Sequence, residues 1–479
     1  MAKMRIEVLS HEEMETIFAG ALTVLEGTGV KVYSEEACRL LAEAGCQVED
    51  HLVKIPEAVV RKAIESAPSC IDIYNREGEL AMQLSGHNSY FGPGVTCPYF
   101  FDPVTMERKP ATKKNVVDVA KVADALKNVD FLMSLCMVGD ETPELADLHE
   151  VHAMIQNSTK PILSWAFTKE NLSDIIDMCA EAVGGMDCLR AKPNLIMYAE
   201  PTTPLVHTKE AVEKLMLLAR KGIPAVYSPG MTLGGTTPIT IAGALTVGLS
   251  EGLTGVVISQ LVNPGAPIIT SANAGALDMS TLQAAYGSPE MCLEDAAATQ
   301  IYRWLGIPTF GLAGATDAKV IDAQAIAEVT MEIIFSLGSG ANLVHDLGMM
   351  DIGMTGSIHL LTICDEIVGM ARRLSEGVIV DEDRMAAEMI HEVGPGGNFI
   401  VQEHTVKYLR SVLFRPELAT RAIYDAWQKD GGKTMQDKAY EKVQRILSEH
   451  KPKPLEQSKK EKIDAILARA EARLGRGKN

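Results

Sequence analysis

Short apolar segments alternate with longer amphipathic stretches over most of this chain. Such segments are typical of strands buried on both faces, and the stretches between them carry the three-to-four-residue spacing of helices. Between Ile307 and Gly348 the pattern occurs twice, as IPTFGL before AGATDAK and as ANLV before HDLG, each followed by a helical stretch. The predicted strands are Asn88–Val95, Phe131–Val138, Pro161–Ala166, Asn194–Ala199, Ile223–Ser228, Ala266–Ser271, Ile307–Leu312 and Ala341–His345.

Eight strand-and-helix units are the number that closes a (β/α)8 TIM barrel. An open doubly wound sheet has the same alternation, but no GxGxxG turn follows the first predicted strand. We therefore predict an α/β fold with a TIM-barrel catalytic domain over residues 86–405. Helical patterns on both sides predict an N-terminal helical segment, 1–85, and a C-terminal helical extension, 406–479. Ser10 and Glu13 form an S-x-x-E capping box at the start of the first helix.

Composition narrows the class of protein. The 479 residues carry a formal net charge of −18, which argues against a nucleic-acid partner because binding phosphates needs a basic surface. Nine scattered cysteines without a CxxC spacing indicate a reducing compartment. The N-terminal sequence has no apolar signal core, and the longest apolar run, Thr236–Gln260, is interrupted by Glu251. We expect a cytoplasmic protein that does not span a membrane.

Polar and aromatic residues recur where the predicted strands end, although aromatics make up only 5% of the chain. In a parallel β/α fold these ends meet at one rim, which is where substrates bind. Aromatic faces with nearby carboxylates are typical of sites for quaternary ammonium groups. The alternative is that these rings only pack the rim. The candidate residues for substrate binding are Tyr99, Phe100, Trp165, Phe167, Tyr198, Glu200, Tyr227 and Asn273.

Other chemistries have weaker support in the sequence. A zinc site requires clustered thiolates or imidazoles, and no such spacing occurs, so we predict no metal site. Lys319 is the candidate for a Schiff base of the aldolase type, although its place at the start of a helix favours a structural ion pair. The turn that contains Asp317, Lys319 and Asp322 is interpreted as a network that braces the site.

Several long segments resemble the trimethylamine methyltransferase family, in its members without pyrrolysine. They follow the family's order from about Arg108 to Thr405, and the flanking helices fit as well. The matching segments are RKPATKKNVVDVAKVADALKNVDF, AEPTTPL, GGTTPITIAGAL, NPGAPI, DMS and GSPE, GATDAKVIDAQAIAE, GANLVHDLG and VGPGGNFIVQEHT.

The resemblance implies an eight-stranded barrel that transfers a methyl group from an amine to the Co(I) corrinoid of a separate protein. The trimethylamine enzymes contain an in-frame pyrrolysine, whereas this sequence has only ordinary residues, which argues against trimethylamine as substrate. Relatives of this kind act on quaternary amines such as glycine betaine, proline betaine or carnitine.

For such a substrate we expect His345 to be the polar anchor at the catalytic site and Tyr99 and Trp165 to be members of an aromatic cage. We also expect no tightly bound cofactor, a cognate corrinoid protein as partner, and a homo-oligomer. The alternatives are the Lys319 aldolase and a non-catalytic protein that senses betaine or holds a corrinoid protein.

Overall fold

A computed structural model describes residues 4–477, which form a mixed α/β fold. Helices and short strands alternate along the chain, with a π-helical turn at Val24–Thr28 and a 3-10 turn at Pro143–Leu145. The helices are α1 His11–Thr23, α2 Glu35–Glu43, α3 Glu57–Ser66, α4 Lys113–Ala125, α5 Ala146–Asn157, α6 Lys169–Val183, α7 Met186–Ala191, α8 Lys209–Lys221, α9 Ile241–Val262, α10 Pro289–Trp304, α11 Ala323–Ser339, α12 Ile358–Ser375, α13 Glu382–Met385, α14 Ala387–Val393, α15 Glu403–Val412, α16 Tyr424–Lys429, α17 Met435–Glu449 and α18 Gln457–Gly477.

The strands build two parallel sheets and four antiparallel or mixed sheets. They are β1 Val30–Val32, β2 Gln47–Glu49, β3 Leu52–Lys54, β4 Ile71–Tyr74, β5 Leu80–Leu84, β6 Tyr90–Pro93, β7 Tyr99–Phe101, β8 Arg108–Pro110, β9 Ile162–Trp165, β10 Leu195–Ala199, β11 Val206–His207, β12 Ala225–Tyr227, β13 Gly230–Leu233, β14 Ile268–Ile269, β15 Asn273–Asp278, β16 Gln283–Ala285, β17 Phe310–Leu312, β18 Leu343–Leu347, β19 Met349–Met350 and β20 Thr355–Gly356.

The two parallel sheets contain seven of the eight predicted strands. One sheet has the order β14-β12-β10-β9 and the other has the order β17-β18-β6. The segment predicted as a strand over 131–138 has no regular strand; it makes single parallel bridges at Leu132 and Cys136. Backbone hydrogen bonds also join the edges of the two parallel sheets to neighbouring segments. Leu132 N–H donates to Pro161 O next to β9 (2.8 Å), and Thr270 N–H next to β14 donates to Pro308 O (3.1 Å).

The inner faces of the parallel strands meet in a small apolar core of their own. The hairpin of β4 and β5 closes one end of this core, while the helices pack on the outer faces and form a second, larger core. Side chains alternate between the two faces because the strand period is two residues. Those that point inward include Leu163, Ile196, Val226, Ile269, Phe310 and Leu343.

The N-terminal region is not purely helical, which corrects the prediction for residues 1–85. Helices α1–α3 occur, with the Ser10–Glu13 capping box, but five strands lie among them. These strands are short and depend on partners distant in sequence; Lys31 in β1 pairs with Val206 in β11. Local patterning does not reveal pairing of this kind. The division into three domains stays a prediction.

Helix α9 is the long apolar stretch of the sequence, and it lies in the interior. It is long and apolar enough to cross a membrane by length and composition alone, but 72% of its most apolar window is buried inside the protein. Glycines let it approach the strands closely: a Cβ on Gly255 would lie 2.1 Å from Cδ1 of Tyr227. The helix is therefore a core helix whose distance from β12 is set by glycine.

Substitution of Gly255 by alanine should lower the free energy of unfolding by about 1–3 kcal/mol, because the added methyl overpacks the α9–β12 contact. The control is Gly27→Ala in the π-helical turn, where nothing lies within 4 Å of an added Cβ. That variant should be neutral or slightly stabilising. Urea unfolding of both variants measures the difference; equal and small effects would contradict the close packing.

Candidate active site

A cavity of about 670 Å³ opens at the carboxyl ends of the parallel strands. Side chains from β9, β10, β17 and β18 reach it, together with the first turns of α8. A small sheet, β13-β15-β16, contributes Met231, Thr232 and Ala284 to its lining. Glu200, Glu210 and Gly230 are exposed, so the cavity reaches solvent on that side.

Aromatic rings form much of the cavity wall. Trp165 and Tyr198 are opposite each other in the register of β9 and β10. The Tyr198 ring lies 5.7 Å from that of Phe310, and the Phe310 ring stacks on the His345 imidazole at 4.2 Å. Tyr286 adds a fourth aromatic ring from the turn after β16. A wall of this kind attracts a cation through the negative faces of the rings.

Two carboxylates lie beside the rings. Glu200 accepts a hydrogen bond from the Tyr198 hydroxyl (2.5 Å). Asp346 is buried and has a φ of +90°, a left-handed conformation that is uncommon for a residue with a Cβ and marks local strain. Burial raises the pKa of Asp346, and the neighbouring His345 opposes that shift. A bound cation would favour the ionised form of Asp346 for the same electrostatic reason.

His345 reaches the cavity, and both of its ring nitrogens have neighbours. Nδ1 lies 3.0 Å from the Gly311 carbonyl oxygen, which can only accept, so Nδ1 carries the proton and donates. Nε2 lies 3.3 Å from Oδ1 of Asp346. The imidazole is thus fixed by its backbone partner and by stacking on Phe310, and its remaining nitrogen faces a carboxyl group.

Asn273 also lines the cavity, but its amide is fully used within the protein. Its Oδ1 accepts from the Ser228 hydroxyl (2.8 Å), and its Nδ2 donates to Oδ1 of Asp295 (3.1 Å). Asn273 therefore shapes the cavity and has little capacity left for a ligand.

Lys214 was not among the predicted site residues, although it lines the cavity from the second turn of α8. Its Nζ donates to the Ala166 carbonyl oxygen at 2.6 Å. Burial lowers the pKa of this ammonium, whereas Glu210, Asp147 and Glu200 act in the opposite direction. Phe310, Tyr286 and Asp346 were missed as well. Phe310 and Asp346 had a sequence signal, since they lie in or directly after predicted strands; a lysine inside an amphipathic helix had none.

Two of the predicted substrate-binding residues, one of them a predicted cage member, lie in a different sheet and do not line the cavity. Tyr99 and Phe100 belong to β7, which pairs with β8 and β20. The Tyr99 ring is covered by the Arg108 guanidinium at 3.6 Å, and Phe100 is fully buried in the main core. Pairing of β7 with β8 and β20 therefore leaves both rings outside the cavity lining.

Phe167 and Tyr227 are also outside the cavity lining. Phe167 is 38% exposed and packs its edge against Trp165, with ring centroids 4.5 Å apart. Tyr227 follows the inward-pointing Val226, so strand alternation turns it outward toward α9. There its hydroxyl lies 2.7 Å from Nδ1 of His207.

The predicted bracing turn contains Asp317, Lys319 and Asp322, and the structure gives each a partner within the protein. Asp317 accepts from the backbone N–H groups of Tyr286 (2.9 Å) and Gly287 (3.1 Å) and so holds the turn that carries Tyr286. Asp322 caps α11. Lys319 is largely exposed, donates to the Asp317 carbonyl oxygen and lies 3.6 Å from Asp351. It does not line the cavity.

Buried carboxyl groups on the helices hold the turns at the strand ends. Glu150 on α5 accepts from Nε1–H of Trp165 (3.0 Å), and Glu332 on α11 accepts from the N–H groups of Gly314 and Ala315. Burial raises the pKa of Glu150 to about 8 and that of Asp295 to about 7. Further bonds of this type join Asp147 to Phe167, Glu251 to Leu205, Glu294 to Ala274, Asp295 to Leu312 and Glu328 to Asp317.

The family of this protein follows from its similarity to known proteins. The profile described as trimethylamine methyltransferase (MTTB) matches residues 2–475. The chain belongs to this family. Membership confirms the predicted class of enzyme, a methyltransferase.

Similar proteins carry names from the same family. The chain is 32% identical to the trimethylamine methyltransferase MttB of Desulfitobacterium hafniense over 464 residues, 96% of this chain and 92% of that one. It is 29% identical to a glycine betaine methyltransferase of the same species, covering 98% of both chains. The crystal structure of the monomethylamine methyltransferase (MtmB) of Methanosarcina barkeri has a similar fold, with a TM-score of 0.52, 13% identity, and coverage of 92% of this chain and 88% of that one.

Glu150 gives a direct test of the carboxyl groups that hold the cavity. The native state keeps this proton up to about pH 8, whereas an unfolded glutamate releases it near pH 4.3, so the native state binds more protons between these values. The wild type therefore loses stability as the pH rises through this window, by at most about 1.4 kcal/mol per pH unit from this group.

Glu150→Gln cannot ionise and keeps an acceptor for the Trp165 N–H. Its stability relative to the wild type should rise steadily from pH 5 to pH 8. Urea unfolding at one-unit intervals measures this difference; parallel curves for the two proteins would show that Glu150 is ionised throughout.

Proposed function

We propose that the protein removes a methyl group from a quaternary amine such as glycine betaine, proline betaine or carnitine, and transfers it to the Co(I) corrinoid of a partner protein. The observation that carries this proposal is the cavity itself, where Trp165, Tyr198, Phe310 and Tyr286 surround a space that also contains carboxylate groups. Full-length similarity to a glycine betaine methyltransferase supports it. So does a sequence made only of ordinary residues, without pyrrolysine.

The chemistry of a quaternary amine fits what these residues can do. The nitrogen already carries its positive charge and has no lone pair, so it leaves as a neutral tertiary amine without a general acid. Ring faces hold the charged group without bonding to it. A tight ionic clamp would instead stabilise the ground-state charge, which is dispersed in the transition state, and so would slow transfer.

The corrinoid supplies the nucleophile that accepts the methyl group. The side chains of this chain hold the donor so that one methyl group faces the open side of the cavity, near Glu200 and Gly230. Their fixed hydrogen bonds favour a single orientation, which is the main contribution expected from an enzyme in such a transfer. Among residues 4–477 no group of three or more His, Cys, Asp or Glu side chains is placed to hold a metal ion.

For the fold, we propose that the two parallel sheets and the segment around residues 130–133 form one closed eight-stranded TIM barrel. Support comes from the hydrogen bonds at the sheet edges. Asp130 N–H donates to Phe91 O (2.6 Å) next to β6, Leu163 N–H in β9 donates to Leu132 O (2.8 Å), and Phe310 N–H in β17 donates to Thr270 O (3.1 Å). The similarity to the MtmB fold is compatible with this closure.

We also propose a cytoplasmic homo-oligomer. Between residues 377 and 427 only Leu418 is buried, and this segment carries more than half of the exposed large apolar side chains among the described residues. Such a surface is a liability in a monomer. A second copy of this chain is the best occupant, because the segment is permanently apolar, whereas a corrinoid protein has to bind and leave in every cycle.

The aldolase alternative has no structural support, since Lys319 is exposed and lies outside the cavity lining. A non-catalytic betaine-binding protein remains the second candidate. It would use the same aromatic cavity and would differ only in having no turnover.

Methyl transfer tests the proposal. The protein, incubated with Co(I) cobalamin and a panel of quaternary amines, should produce the spectral change that accompanies methylation of the cobalamin with at least one amine. No change with any amine, even when a cognate corrinoid protein is supplied, would refute it. Binding by calorimetry in the absence of transfer would identify the non-catalytic protein.

Phe310→Leu tests the role of the rings, because it keeps an apolar side chain and removes the ring face. Loss of a cation–π contact of about 0.5–2 kcal/mol should weaken binding of glycine betaine by about 2- to 30-fold. Binding of the isostere 3,3-dimethylbutanoate, in which a neutral carbon replaces the quaternary nitrogen, should weaken much less. Calorimetry measures both.

The matched control for that variant is Phe100→Leu, a buried phenylalanine outside the cavity, which should leave both affinities unchanged. Equal losses for glycine betaine and its isostere in Phe310→Leu would show that the ring contributes packing only.

A further inference from the structure

The cavity is electrostatically asymmetric. Lys214 is the single lysine or arginine among its described lining residues, and it lies on the wall formed by Trp165, Ala166 and α8. Asp346 lies beside His345, which stacks on Phe310, and Glu200 accepts a hydrogen bond from the Tyr198 hydroxyl. Glu210, one turn before Lys214 on α8, is the third carboxyl group of the lining. A ligand with a positive charge at one end and a negative charge at the other matches this distribution.

The ammonium of Lys214 has capacity for a ligand. It has three N–H donors, and one of them is used by the Ala166 carbonyl oxygen at 2.6 Å. No carboxylate among the described residues lies within ion-pair distance of it, whereas Lys209 on the same helix is 3.9 Å from Glu213. Glu210, Asp147 and Glu200 act on this cation only from beyond contact distance. A half-buried ammonium with no carboxylate in contact is costly, and an anionic ligand group would compensate it.

His345, the anchor expected from the sequence, is poorly suited to hold an anion. Its Nδ1–H is donated to Gly311 O, and its Nε2 faces Asp346 at 3.3 Å. A ligand carboxylate placed there would meet another carboxyl group. The backbone N–H groups of Gly314, Ala315 and Asp317, in the turn after β17, are already bonded to Glu332 and Glu328.

We infer that Lys214 binds the anionic group of the substrate and selects zwitterionic quaternary amines over purely cationic ones. This inference rests on the proposed function, because it assumes that the aromatic cavity takes the quaternary nitrogen. The carboxylate lies against Lys214 and Ala166, and the trimethylammonium group lies against Phe310 and Tyr198. Lys214 is then a binding and specificity residue that takes no part in breaking the carbon–nitrogen bond.

The test compares glycine betaine with its amide, which has the same shape and a neutral group in place of the carboxylate. The wild type should bind glycine betaine more tightly. In Lys214→Met the affinity for glycine betaine should fall about 10- to 100-fold, the size expected for a charged hydrogen bond, while the affinity for the amide changes less than about 3-fold. Lys214→Arg, which keeps the charge, should retain most of the preference.

The matched control is Lys209→Met, which removes an exposed lysine from the same helix and should leave both affinities unchanged. Thermal unfolding of each variant confirms that the fold is intact. Equal weakening of both ligands in Lys214→Met, or equal affinity of the wild type for both, would overturn the assignment of Lys214 while leaving the proposed function in place. If the wild type binds neither ligand nor any other quaternary amine, the proposed function fails and this inference fails with it.

Discussion

Buried carboxyl groups on the surrounding helices are the interaction on which the shape of the cavity depends. Glu150 fixes the Trp165 indole, Asp295 accepts from the last residue of β17, and Glu332 holds the backbone that follows this strand. Each bond satisfies a backbone or indole N–H that would otherwise be buried without a partner, which is costly. Burial also raises the pKa of Glu150, Asp295 and Glu332, which favours their neutral form, and a neutral acid accepts hydrogen bonds without placing full negative charge next to the site.

This arrangement explains how one cavity can contain so many polar groups and still suit a reaction with little proton chemistry. Tyr198, Asn273 and His345 line it, and each is hydrogen-bonded within the protein. Their orientations are therefore set before any ligand arrives. The groups left for a ligand are ring faces, the carboxylates of Glu200 and Asp346, and the Lys214 ammonium. These recognise charge and position, which is what the transfer of a methyl group from a quaternary nitrogen requires.

Seven of the eight predicted parallel strands, the main cavity at their carboxyl ends and the family were predictable from the sequence, because apolar periodicity and long motifs carry that information. Successive side chains of a strand point to opposite faces, and this alternation determines which residues near the strand ends reach the cavity. Trp165, Tyr198 and His345 share the face of Leu163, Ile196 and Leu343, whereas Tyr227 lies on the opposite face. Tyr99 lies outside the cavity because its strand pairs with β20, a segment distant in sequence, and local patterning does not predict such a contact. Lys214 and the carboxyl groups on the helices could not be predicted. Each lies in an ordinary amphipathic helical sequence, and that sequence does not show that the side chain contacts a turn distant along the chain.

The most direct test of the account is a crystal structure of the protein with glycine betaine bound. We expect the trimethylammonium group to lie against the rings of Phe310 and Tyr198, and the carboxylate to lie within hydrogen-bond distance of Lys214 Nζ. A ligand in the reverse orientation, with its carboxylate at His345 and its methyl groups at Lys214, or a ligand bound outside this cavity, would contradict it.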